Sequence, residues 1–176
     1  MVLALLVFIL LQKLKIMKYI LYSALIIVAS CNKTSKSATT HQQEKPDVSK
    51  VVISYEATAC FGKCPMFTMT INGATQTITY VGSQNVEKLG TYTKHYEVDS
   101  IITLVNAFDK AKYFELNNEY LGHIVDFPSV ITSYSNYGKT KKIKDRTGGP
   151  GELRDLERLL YIISNGEGWK KQEEGK

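Results

Sequence analysis

The stretch "MFTMTINGATQTITYVG", residues 66–82, decides the fold. Phe67, Met69 and Ile71 alternate with Thr68 and Thr70, the period of two that marks a half-buried strand. Asn72-Gly73 follows, the pair best able to take the positive φ angles of a tight hairpin. Ile78 and Tyr80 then share one face of the returning strand. Working outward, "VVISYEA" (51–57) reads as a strand before the hairpin, and "LGTYTKHYEV" (89–98) continues the alternation after it. His95 is thereby expected on a strand, as a surface or partner-paired residue. Asp99-Ser100 can cap a helix whose inner face carries Ile101, Leu104, Val105, Phe108 and Ala111. "NNEYLGHIVDFPS" (117–129) breaks the pattern and reads as a loop, with Asp126 stabilising the turn before Phe127-Pro128. "SVITSYSNYG" and "KTKKIKDR" read as a second strand pair joined near Asn136–Gly138. Pro150 suits the first turn of a second helix, with Glu152 and Asp155 favouring its positive end. Leu153, Leu156, Leu159, Leu160 and Ile163 form its stripe, and Asn165-Gly166 stops it. The order is strands, helix, strands, helix. The expected fold is α+β: a mostly antiparallel sheet with two helices packed on one face, over residues 51–169, followed by a charged tail at 170–176.

The N-terminus has a different character. Residues 1–30 carry three lysines and no acidic residue. Met17-Lys18 makes a short positive region, Tyr19–Val28 an apolar core, and Ala29-Ser30 a small-residue approach to Cys31, the three parts of a secretory signal. The apolar core is shorter than the roughly 20 residues a membrane span needs. Lys13, Lys15 and Lys18 also divide the whole segment, which argues against one uncleaved membrane helix. Met17 is the expected true start. "VASC" resembles the bacterial lipobox, and that resemblance implies cleavage before Cys31 and acylation of its thiol and new amino terminus. Two or more chains anchor stably where one does not. Asn32 at the following position favours the outer membrane, facing the periplasm. Residues 32–50 are polar and aperiodic, and read as a tether of about 25 Å average reach.

Removing residues 1–30 leaves 19 of the 22 basic residues against 17 acidic ones. The balance is close to neutral, so nucleic acid is not an expected partner. The expected partners are a membrane, reached through the lipid anchor, and an envelope protein or glycan.

With Cys31 acylated, Cys60 and Cys64 are the two remaining cysteines, an even number in an oxidising compartment, and a disulfide is the favoured use. Gly62 could supply the third position of a type II turn in so short a ring. The rival is a thiol redox or copper site. Cys-x-x-x-Cys-Pro also occurs in Sco-type copper-delivery proteins, where thiolates suit Cu(I) and a distant histidine completes the set. Here that ligand set would be Cys60 and Cys64 with His123, or with His95. The period-two alternation after Cys64 offers no helix N-terminus to lower a thiol pKa, although Lys63 stands beside it.

"CFGKCPMFTMTINGATQTITYVG", "YFEL" (113–116), "VDFPS" (125–129) and "LRDLERLL" (153–160), taken together, resemble an uncharacterised bacterial lipoprotein domain family. Its members share Cys-Phe-Gly-x-Cys-Pro, an aromatic residue, and a hairpin with glycine at its tip. The resemblance covers nearly all of residues 53–164 and implies an architecture and an envelope address, but no chemistry.

Two weaker groupings remain. His123, Asp126 and Glu119 share a loop without metal-ligand spacing. "KIKDRTGGPGE" sets Lys144 and Arg146 beside Gly148 and Gly149 at a helix start, where backbone N–H groups can receive an anion such as a lipid phosphate or glycan acid. It lacks the Gly-Lys-Ser/Thr ending of a nucleotide-binding loop. The rival reading is a turn beside a charged edge strand. No nucleophile triad or HExxH pattern is present in the sequence. The expectation is a binding or structural module without a cofactor, in preference to an enzyme.

Overall fold

A computed structural model describes residues 46–124 and 126–173. The signal segment, Cys31 and the tether up to residue 45 lie outside the described residues. Eight strands form one mixed, mostly antiparallel sheet: β1 Val52–Ala57, β2 Met66–Asn72, β3 Thr77–Gln84, β4 Gly90–His95, β5 Glu119–Tyr120, β6 Val130–Asn136, β7 Lys139–Asp145 and β8 Lys170–Lys171. Across the sheet they run β5-β7-β6-β1-β2-β3-β4-β8, and the β5–β7 pair alone is parallel. Among the described residues there are also two helices, α1 Val98–Lys110 and α2 Gly151–Asn165, and a short 3-10 turn at Tyr113–Glu115.

The alternation of β2 is the alternation of its burial: Phe67, Met69 and Ile71 are buried and Thr68 is exposed. Register carries that face across the sheet. Ile53 stands opposite both Ile71 and Tyr134, Met69 opposite Tyr80, and Thr132 opposite Ile143. The partners Ser54, Thr70, Thr79 and Ser133 fall on the other face, half-buried. Ile101, Leu104 and Phe108 of α1 and Leu153, Leu156 and Leu160 of α2 enter the same buried cluster as the inward strand residues. Tyr113 of this cluster and the buried Thr132 share a hydrogen bond between their hydroxyls at 2.8 Å. A buried hydroxyl without such a partner would be costly.

Several local expectations change. The β2–β3 hairpin forms, but its turn spans residues 73–76, and the positive φ belongs to Gln76 in place of Asn72 or Gly73. Asn72 acts through its side chain: Oδ1 accepts from the Ala74 and Thr75 N–H groups at 3.0 and 3.3 Å. Gly73 is needed for close approach, because a Cβ there would collide with the Val48 carbonyl oxygen. That contact also shortens the tether. Residues 46–50 fold onto the end of the sheet, with Val48 buried and the Val51 N–H donating to its carbonyl at 2.9 Å.

Helix α1 begins before Asp99-Ser100. Glu97 is the N-cap residue and has no side-chain cap bond, while the Ser100 and Ile101 N–H groups already donate to its carbonyl. Pro150 occupies the N-cap of α2, one position ahead of its first turn. The loop at 117–129 contains β5, and the expected charged tail supplies β8. Among the described residues, no helix is long and apolar enough to cross a membrane.

Candidate functional site

The end of the sheet where β1 gives way to β2 gathers most of the chemistry noted in the sequence. Cys60 and Cys64 stand at disulfide distance, S–S 1.94 Å, and close a five-residue ring between these strands. Gly62, inside it, does not take a left-handed φ, so the expected type II turn is absent; a Cβ there would meet only Cys60 Sγ, at 3.7 Å. Both ends of the ring are tied down. The Asn85 side-chain amide donates to the Cys64 carbonyl at 3.1 Å. On the other side Thr58 and Ser129 form a reciprocal clamp. The Thr58 N–H and hydroxyl donate to Ser129 O at 3.0 and 2.9 Å, and the Ser129 N–H donates back to Thr58 Oγ1 at 2.8 Å. The clamp fastens the disulfide connection to the loop ahead of β6. Phe61, at the ring's outer side, is left 94% exposed, and Phe127 of the neighbouring loop 52%.

Strand β7 brings charge to the same place. Lys144 and Arg146, two residues apart, line a cleft of about 600 Å³ together with Thr58, Phe61, Phe127 and Ser129. Lys144 Nζ lies 3.6 Å from Glu119 Oε1. Arg146 has no carboxylate partner among the described residues, and its Nε is buried without an acceptor. Asp126 also lines the cleft, and its side chain makes no hydrogen bond or ion pair among the described residues, so the expected turn-stabilising bond is not seen.

The intervening Asp145 is buried on the opposite side of the strand. Its Oδ1 accepts from the N–H groups of Gly148 and Gly149 at 3.1 and 2.9 Å. The helix-start amides thus hold the protein's own carboxylate. The four residues grouped as an anion site are therefore divided, with Lys144 and Arg146 at the cleft and the two glycine amides engaged by Asp145. A Cβ on Gly149 would collide with Asp145 Oδ2, so glycine is required there. Across from this turn, burial raises the Glu157 carboxyl to about 8, with the charge of Asp145 adding to the rise and Arg154 opposing it. Glu157 Oε1 is buried with no hydrogen-bond partner. Arg154 donates from a guanidinium NH to the Gly149 carbonyl at 2.7 Å.

The histidines lie elsewhere. His95 is exposed at the end of β4, with Nε2 3.2 Å from Glu97 Oε1. His123 is exposed in the loop after β5. The described residues contain no group of three or more His, Cys, Asp or Glu side chains placed to hold a metal. Sequence reasoning missed Phe61, Phe127, Asp145 and Glu157 as members of this region. The legible signal was the alternation in "KIKDR", which sends Lys144 and Arg146 to one face and Asp145 to the other.

A search among curated proteins finds no match to the chain. A family model, a domain of unknown function (DUF6438), matches residues 51–163. That span opens at the strand before the disulfide ring and closes within α2, taking in the cleft and both of its clamping loops. The chain belongs to the DUF6438 family.

Proposed function

We propose that this protein is a lipid-anchored component of the bacterial cell envelope, held by Cys31 and working through binding or structural contact. Its domain is read as a two-layer α+β unit with both helices on one sheet face. Supporting that arrangement, Phe108 of α1 meets Tyr134 at 4.5 Å between ring centroids and Tyr161 of α2 meets Phe67 at 6.4 Å. The observation that carries the envelope reading is the Cys60–Cys64 pair at bonding distance. A disulfide belongs to an oxidising compartment, and the remaining cysteine stands where a lipobox would place the acylated one.

Two measurements test this. Growth with a labelled fatty acid should mark the protein, and Cys31→Ala should abolish the label and release the protein from the membrane fraction. Intact mass of the purified protein, alkylated with and without reductant, should show two protected thiols. Two freely alkylated thiols together with micromolar copper binding would instead favour a thiol or copper chemistry at Cys60 and Cys64.

A further inference from the structure

The cleft beside the disulfide ring combines features that a purely structural corner does not need. Two large aromatic side chains, Phe61 and Phe127, are left in water at a place fixed by a disulfide and a three-bond clamp. Holding exposed apolar area rigidly forgoes the stabilisation that burial would bring, about 25 cal/mol per Å². Beside them Arg146 has neither a carboxylate partner nor an acceptor for its buried Nε. Lys144 adds a second positive charge, and its 3.6 Å contact with Glu119, between side chains 41% and 54% exposed, contributes little. Asp126 offers a free acceptor in the same cleft.

We propose that this cleft binds an acidic glycan, a sugar chain bearing carboxylates. The proposal rests on the envelope reading only for where such a polymer would be met. Each part of that ligand has a counterpart on the protein. The apolar faces of pyranose rings can cover Phe61 and Phe127, which removes both from water. A carboxylate can take the planar guanidinium of Arg146, with Lys144 as a second cation. Sugar hydroxyls can donate to Asp126, which accepts and cannot donate when ionised. The same carboxylate disfavours a phosphate-covered membrane surface, where it would meet like charge with no hydroxyl donors in compensation. The volume, about 600 Å³, falls within the range of small-ligand sites.

Titration calorimetry on the purified full-length protein, using an oligogalacturonate and a hyaluronan oligosaccharide as acidic probes, tests the site. A neutral N-acetylchito-oligosaccharide of equal length and phosphatidate vesicles serve as the contrasting arms. At least one acidic probe should bind, with the neutral sugar and the vesicles about tenfold weaker or more, and binding should weaken as salt rises. Arg146→Gln should raise the dissociation constant about tenfold, the loss expected for a charge-assisted hydrogen bond. Phe61→Ala should raise it several-fold without touching the fold, because that ring is almost wholly in solvent. Equal binding by the wild type and both variants, preference for the vesicles, or no binding of either acidic probe overturns the proposal. The fatty-acid label reports on the anchor and the titration on the cleft, so the two readings fail separately.

Discussion

Asp145 and Glu157 show how one buried charge constrains its neighbours. Asp145 has its Oδ1 bound by two backbone N–H groups, a full use of a helix-start turn. Glu157 has no such donors on its Oε1, and it faces the charge of Asp145 in partial burial. Its folded-state pKa of about 8 stands above the ordinary 4.5. In the unfolded chain Glu157 therefore gives up its proton at lower pH than in the folded protein. The native state binds more protons between these two values, and stability falls as pH rises through that window. Below about pH 4.5 both states are protonated and the effect vanishes. Part of the side chain meets solvent, so the cost at pH 8 is screened to about 1–2 kcal/mol. Glu157→Gln is accordingly expected to stabilise the protein by that amount at pH 8 and scarcely at pH 4, read from urea midpoints at both values. A variant destabilised at pH 8 and little changed at pH 4 would show that the Arg154 attraction dominates instead.

The strands and helices were legible where apolar residues repeat over a sufficient length. Phe67, Met69 and Ile71, and Leu153, Leu156 and Leu160, declare their periods plainly, and each set is buried. Strands β5 and β8 are two residues long, too short to carry any period, and they are held by partners that sequence does not reveal. Turn chemistry was half legible. Asn72-Gly73 marks the hairpin, but the side chain of Asn72 and the lack of one at Gly73 act through contacts with residues 74, 75 and 48. The candidate site was the least legible part. An exposed Phe61 reads as a core residue by type, and proximity in sequence groups Lys144 with Gly148, whose N–H is engaged by Asp145 on the other side of the strand. Two outcomes follow for these elements. Gly73→Ala should push the 46–50 segment off the sheet end and cost about 1–3 kcal/mol, the usual penalty for overpacking, with exchange accelerated at the Val51 amide that donates to Val48 O. The paired change Cys60→Ala and Cys64→Ala should cost at most about 2 kcal/mol, since a five-residue ring removes little unfolded-state entropy. Its signature should be cleavage by protease at 58–65 with the rest of the sheet intact.

Over the whole domain, the sheet must also be kept from growing. An open edge offers unpaired N–H and C=O groups to any other strand. One edge is closed by the parallel strand β5 against β7, and the other by β8 against β4. The β8 closure is brief but multiply fastened. Lys170 and Lys171 pair with Thr93 and Tyr92. The Gln172 N–H donates to Thr91 O and its side-chain amide to Thr93 Oγ1, each at 2.8 Å. Just before it, Trp169 lies 5.5 Å from the Tyr80 ring and beneath Lys94 Nζ at 4.7 Å, which ties the segment to the core. Trp169 thus supplies the anchoring and the lysine pair the cover, so the two roles separate experimentally. Trp169→Ala should lower stability by about 2 kcal/mol, part of the usual loss for a large aromatic because the ring is only half-buried. It should leave the oligomeric state as it is in the full chain. A chain ending at Gly168 should lose similar stability and also uncover β4, giving larger species that grow with concentration in light scattering. If the shortened chain scatters as the full one does at every concentration, the 170–172 segment is not what protects that edge.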